Sequence, residues 1–146
     1  MLRGIHPLLT PDLLFILASM GHGDRIIIAD AIFPAVRIAR RLVPLAGVDA
    51  SQALEAILSV LPIDDFESDP VVVMQVVGDP DALPDVVRDF ITILAANGLQ
   101  PPARIERQAF YRAAGDAFAI ISTGERRFYG NIILTRGVVP PSGAGG

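Results

Sequence analysis

The chain has 146 residues, 51% of them hydrophobic, and its 12 basic and 16 acidic side chains leave a formal net charge of -4. All the basic residues are arginine, and lysine, cysteine and tryptophan are absent. This excludes a lysine Schiff base, a thiolate nucleophile and a lysine-dependent phosphate loop. The length suits one domain with its own core, the apolar runs fall short of the ~20 residues a membrane span needs, and the acidic balance argues against a nucleic-acid surface. Arg37, Arg40 and Arg41 read as a solvated basic patch. The apolar surplus points to subunit contacts, hence a homo-oligomer. Without cysteine or a signal-type leader a cytoplasmic location is expected.

Thr10-Pro11-Asp12 is a helix start, with a capping hydroxyl, a first-turn proline and an acid at the positive dipole end. The helix runs to Gly21, expected to supply a left-handed exit, so that His22 stands just beyond a helix end. Arg25 to Ala29 is a short β-branched strand closed by Asp30, and Phe33-Pro34 opens an irregular or partly helical stretch. Asp49 or Ser51 caps a helix through about Val60, and the acidic loop Asp64 to Asp69 leads into a strand over Val71 to Val77. Pro84-Asp85 starts a helix that ends at Asn97-Gly98. A short strand over Ala103 to Glu106, a helix from about Gln108 to Ala114, and strands over Phe118 to Ser122 and Asn131 to Thr135 complete the pattern. Continuously apolar strands alternating with helices give an α/β domain whose sheet is covered on both faces. One domain is expected over residues 1–139, with a flexible tail over 140–146.

An imidazole can both give and take protons, so His22 suits proton transfer, although a histidine after a helix also serves as a simple cap. Asp30 stands at the carboxyl end of a strand, where ligands of α/β sheets gather. Arg107 suits a hydroxylated or anionic ligand, with a surface ion pair to Glu106 or Glu125 as the plain reading. Tyr129 and Asn131 offer a stacking face, a phenol and an amide, groups fitted to sugar hydroxyls. Two histidines argue against zinc, and Asp64-Asp65 and Asp79-Pro80-Asp81 read as ordinary loop residues rather than a magnesium site. Gly21-His22-Gly23 follows a helix and precedes a strand, the reverse of the dinucleotide fingerprint.

Thr10-Pro11-Asp12-Leu13-Leu14, Met20-Gly21-His22-Gly23-Asp24, Asp30-Ala31 with Phe33-Pro34-Ala35, Ala109-Phe110-Tyr111, Ala117-Phe118-Ala119-Ile120, and Thr123-Gly124-Glu125 with Tyr129-Gly130-Asn131-Ile132-Ile133-Leu134 occur in this order. Together they resemble the fucose mutarotase and ribose pyranase family over nearly the whole chain, and the L-fucose mutarotase branch most. The resemblance implies a three-layer α/β/α subunit in a ring-shaped homo-oligomer, commonly a decamer, with sugar sites near subunit boundaries. It implies a cofactor-free, metal-free isomerase acting on a monosaccharide, with no nucleic-acid or membrane partner. His22 would be the proton donor, with Asp30 beside it as orienting and second catalytic group. Asp30, Arg107, Tyr129 and Asn131 would contact sugar, and Gly130 would permit close backbone approach. Pyranose/furanose interconversion and non-catalytic sugar binding remain open readings of the same pocket. Ile32 stands where the family usually carries a polar residue, which favours a deoxy carbon or methyl contact, and Ala35 to Gly47 departs from the family pattern.

Overall fold

The computed structural model describes residues 1–141, so all but the first two residues of the tail expected over 140–146 lie outside the described residues. In chain order the elements are α1 (Pro11–Ser19), β1 (Arg25–Ala29), α2 (Ala35–Ile38), β2 (Leu42–Leu45), α3 (Ala50–Leu58), β3 (Val71–Met74), α4 (Asp85–Ala96), β4 (Ala103–Ile105), α5 (Arg107–Asp116), β5 (Ala119–Thr123) and β6 (Ile132–Thr135). The six strands form one sheet in the order β2-β5-β1-β6-β3-β4.

Strand alternation divides the core in two. Ile26 and Ile28 of β1 pack with α1, α3 and α4 on one face, whereas Ile27 and Ala29 pack with Phe110 and Ala114 of α5 on the other. A strand apolar at every position can exist only between two such layers. β1 is central, parallel to β5 and antiparallel to β6. The reversal at β6 follows from its connection: residues 124–131 contain no crossover helix, and a direct return can only run antiparallel.

Four expectations need correction. β2 arises from Leu42-Val43-Pro44-Leu45 inside the segment read as irregular or partly helical; its proline is tolerated because β2 is an edge strand. β3 ends at Met74, short of Val77, because the chain turns into a bridge between Val76 and Asp79. The left-handed residue after α1 is Gly23 (φ 85°), with Met20 leaving the helix extended, so Gly21 is not the exit. The strand expected to reach Glu106 stops at Ile105 and α5 opens at Arg107 rather than Gln108, since Glu106 caps that helix by accepting from the amides of Gln108 and Ala109 at 2.9 and 2.8 Å.

Candidate functional site

The carboxyl ends of β1, β3, β4 and β5 and the start of the antiparallel β6 meet at one edge of the sheet. Asp30 leaves β1 there, is buried, and is tied down on every side. Its Oδ1 accepts from the amides of Ile32 and Phe33 at 3.1 and 2.9 Å, which closes the turn after the strand. Its Oδ2 accepts from Asn131 Nδ2 at 3.1 Å, while its own amide donates to Asn131 Oδ1 at 2.8 Å. Asn131 therefore holds both the backbone and the carboxylate of Asp30, and its second Nδ2 hydrogen is left to donate elsewhere. Burial pushes the Asp30 carboxyl above its ordinary 3.8, against the opposing pull of these hydrogen bonds.

Tyr129 adopts a left-handed backbone (φ 66°), the one non-glycine residue with positive φ among the described residues. Strain of this kind persists only where the surroundings enforce it. The Tyr129 Oη accepts from the Val77 amide at 3.1 Å, which frees its O–H hydrogen to donate into the space beside Asp30. Behind this turn Glu125 is buried and bound by the Arg127 guanidinium at 3.0 and 3.3 Å, and Arg127 reaches Asp89 at 2.7 Å. Burial raises the Glu125 carboxyl, but the Arg127 contacts outweigh it and hold the group below its ordinary 4.5. Gly130 lies against this network: a Cβ there would stand 2.7 Å from Glu125 Cγ. Its missing side chain accommodates Glu125, a different neighbour from the ligand expected from sequence.

Asp30, Arg107, Tyr129 and Asn131 line one cavity of about 280 Å³ with Ile32, Phe33, Met74, Tyr111 and Phe128; Gly130 is not in its lining. The Arg107 guanidinium lies over the Tyr111 ring, 5.7 Å from its centroid, one helical turn along α5. Among the described residues it makes no salt bridge, so the ion pair to Glu106 or Glu125 does not form. Sequence reasoning missed Phe33, Met74, Tyr111 and Phe128 as lining residues. The Arg107-to-Tyr111 spacing of four was the legible signal for one of them.

His22 is not brought to this cavity by its own chain. It precedes β1 while Asp30 follows it, and five strand residues at ~3.3 Å each separate the two by roughly 16 Å or more. The expectation of an imidazole and an acid meeting in one pocket therefore fails within a single chain. His22 Nε2 instead lies 3.1 Å from Oδ1 of Asp64, which is buried although the sequence marks it as an ordinary loop residue. Among the described residues no group of three or more His, Cys, Asp or Glu side chains is placed to hold a metal ion, and no helix is long and apolar enough to cross a membrane.

The sequence profile of the RbsD / FucU transport protein family matches residues 3–139. The chain belongs to the RbsD/FucU family. Similar members include an L-fucose mutarotase of Histophilus somni, 42% identical over 96% of this chain and 99% of that protein, and an L-fucose mutarotase of Glaesserella parasuis, 44% identical over 96% and 97%. Among solved structures, the fucose mutarotase of Streptococcus pneumoniae in complex with L-fucose superposes with a TM-score of 0.90 at 35% identity, covering 95% of this chain and all of that one. This RbsD/FucU chain shares their mixed single-sheet α/β fold.

Proposed function

We propose that this chain is a mutarotase that interconverts the α and β anomers of a free monosaccharide, with L-fucose as substrate. The carrying observation is the cavity at the sheet edge, lined by both polar and apolar side chains, in a chain so similar to L-fucose mutarotases. Its lining offers Asp30, Arg107, Tyr129 and Asn131 to hydroxyls, together with the apolar Ile32, Phe33, Met74 and Phe128. A hexose bearing a methyl group in place of a hydroxymethyl fits that mixed lining, since a hydroxyl buried against Ile32 would lose its partner at about 1–3 kcal/mol.

The reaction needs little. A proton leaves the anomeric hydroxyl while another reaches the ring oxygen and the C1–O bond breaks; the aldehyde rotates and recloses on its other face. His22 exchanges the protons. Asp30, already occupied by three donors, orients the sugar through Asn131 and shares the proton transfer. Mutarotation already proceeds in water, so general acid-base help of ~10² to 10⁴ plus positioning suffices.

In this reading the imidazole reaches the cavity from a second copy in a closed ring. Both halves are flanked by exposed apolar side chains suited to subunit contact: Ile32 (71% exposed) and Phe128 (68%) at the cavity, and Phe66 (75%) against the His22 ring at 5.3 Å. Saturation-transfer NMR on L-fucose, D-ribose, D-galactose and L-rhamnose tests the proposal. The expected result is strong anomer exchange on L-fucose that drops about 100-fold or more in His22→Gln. Full exchange by that variant removes His22 from the mechanism. Pyranose/furanose exchange of ribose as the main activity favours the pyranase reading, and saturable binding without exchange a sugar-binding subunit.

A further inference from the structure

The His22 turn and the Asp64 loop are separated by 42 positions in sequence, yet the end of β6 clamps them together. Gly23 donates to the Arg136 carbonyl at 2.9 Å and the Arg136 amide donates to Asp24 at 2.8 Å, which fixes the turn. On the facing side Ile63 bridges to Arg136, the Asp64 amide donates to Thr135 at 2.9 Å, and the Gly137 amide donates to Pro62 at 2.8 Å. Gly137 makes the approach possible, because a Cβ there would stand 2.7 Å from the Ile63 carbonyl oxygen and 2.9 Å from Asp64 Cα.

The Asp64 carboxylate is held as firmly as its backbone. Oδ1 accepts from the Phe66 amide at 3.3 Å and Oδ2 from the Glu67 amide at 3.2 Å, while the side chain is only 2% exposed. The neighbouring acids are engaged elsewhere. Asp24 Oδ2 takes the Gly21 amide at 2.7 Å, and Glu67 pairs with Arg25 at 3.8 Å. The hydrogen bond to His22 is the main influence on the Asp64 carboxyl and, with those amides, keeps it below its ordinary 3.8 despite burial. Asp64 is thus ionised at neutral pH, and an ionised carboxylate can only accept.

We infer that Asp64 is a positioning residue for His22: it takes the Nε2 hydrogen, fixes the imidazole in that tautomer, and leaves Nδ1 as the nitrogen that exchanges protons with substrate. Phe66, its ring tilted by 55° against the imidazole at 5.3 Å, limits the imidazole's rotation about that bond. When Nδ1 takes a proton, the adjacent carboxylate stabilises the imidazolium; when Nδ1 gives it up, the tautomer is restored without a ring flip. The inference rests on the mutarotase reading of His22, but its geometry does not.

Full-length protein labelled with 15N-histidine gives a simple spectrum, because His6 and His22 are the only histidines. Solid-state 15N NMR at pH 7.5 is expected to show His22, assigned by its loss in His22→Gln, with hydrogen on Nε2 and a bare Nδ1. In Asp64→Asn, whose amide can keep the loop turn but can also donate to Nε2, the tautomers should mix. The kcat for anomer exchange should fall about 10- to 100-fold with KM within about twofold. A wild-type ring carrying its hydrogen on Nδ1 overturns the inference, and that measurement stands even if Asp64→Asn fails to fold. A folded Asp64→Asn with unchanged kcat, or with only a raised KM, overturns it too. Absence of exchange by the wild type on every sugar sinks the mutarotase reading instead, and the tautomer spectrum then still decides whether Asp64 sets the imidazole.

Discussion

At the residue scale, the candidate site consists of groups whose hydrogen-bonding capacity is mostly spent on one another, leaving a few directed donors. Asn131 spends its oxygen and one hydrogen on Asp30, and Tyr129 spends a lone pair on Val77. What remains free is the part that can face a ligand, so small displacements of the 129–131 turn should matter. Gly130→Ala tests this. The added methyl would meet Glu125 Cγ at 2.7 Å, and Glu125 cannot swing aside while Arg127 grips its carboxylate. Overpacking of this sort costs about 1–3 kcal/mol, to be read from urea or thermal unfolding, and it should also lower anomer exchange by moving Tyr129. Unchanged stability would show that the turn can give. Asp30 and Asn131 were legible from the sequence because each abuts an apolar strand. Asp64 was not, because nothing in an acidic run from 64 to 69 marks which carboxylate is buried.

At the scale of elements, strands and helices with strong local signals were legible, and those fixed by context were not. Thr10 and Asp49 cap their helices as their residue types suggest, with Asp49 and Gln52 forming a reciprocal box. β2 has a proline in its centre and only four residues, so local pattern disfavours it; pairing along β5 makes it a strand. The connection from β5 to β6 owes its shape to the pair of buried Glu125 and half-buried Arg127, which ties the Tyr129 turn to Asp89 on α4. The pair has a pH signature. Because the Glu125 carboxyl is held below 4.5 in the fold, its stabilising contribution is complete above 4.5 and is lost as pH falls through the lower folded value. Glu125→Gln should therefore lower Tm at pH 7, with the gap to wild type closing as pH drops below 4.5. A gap that stays constant down to pH 3 would mean that the charge of Glu125 contributes nothing.

At the scale of the whole molecule, His22 precedes β1 at one end of the sheet, and the cavity beside Asp30 lies at the other. In the proposed mutarotase reading a lone chain carries two half-sites, each completed by a neighbouring copy. The sequence showed both halves without their separation, since Asp30 lies only eight positions from His22 and strand direction alone puts them at opposite edges. A site shared between copies makes a quantitative prediction about mixed assemblies. His22→Gln and Arg107→Gln should each be nearly inactive alone. Assembled together in equal amounts, they should recover about a quarter of wild-type exchange, because an intact site needs an unaltered His22 from one copy and an unaltered Arg107 from the next, each present about half the time. A chain carrying both substitutions, mixed equally with wild type, should also give about a quarter, whereas sites confined to single chains would give about half. Anomer exchange on L-fucose, measured after co-assembly and normalised to total protein, separates the two. No recovery in the first mixture together with half activity in the second would mean that each copy works alone, and that His22 acts somewhere other than the cavity beside Asp30.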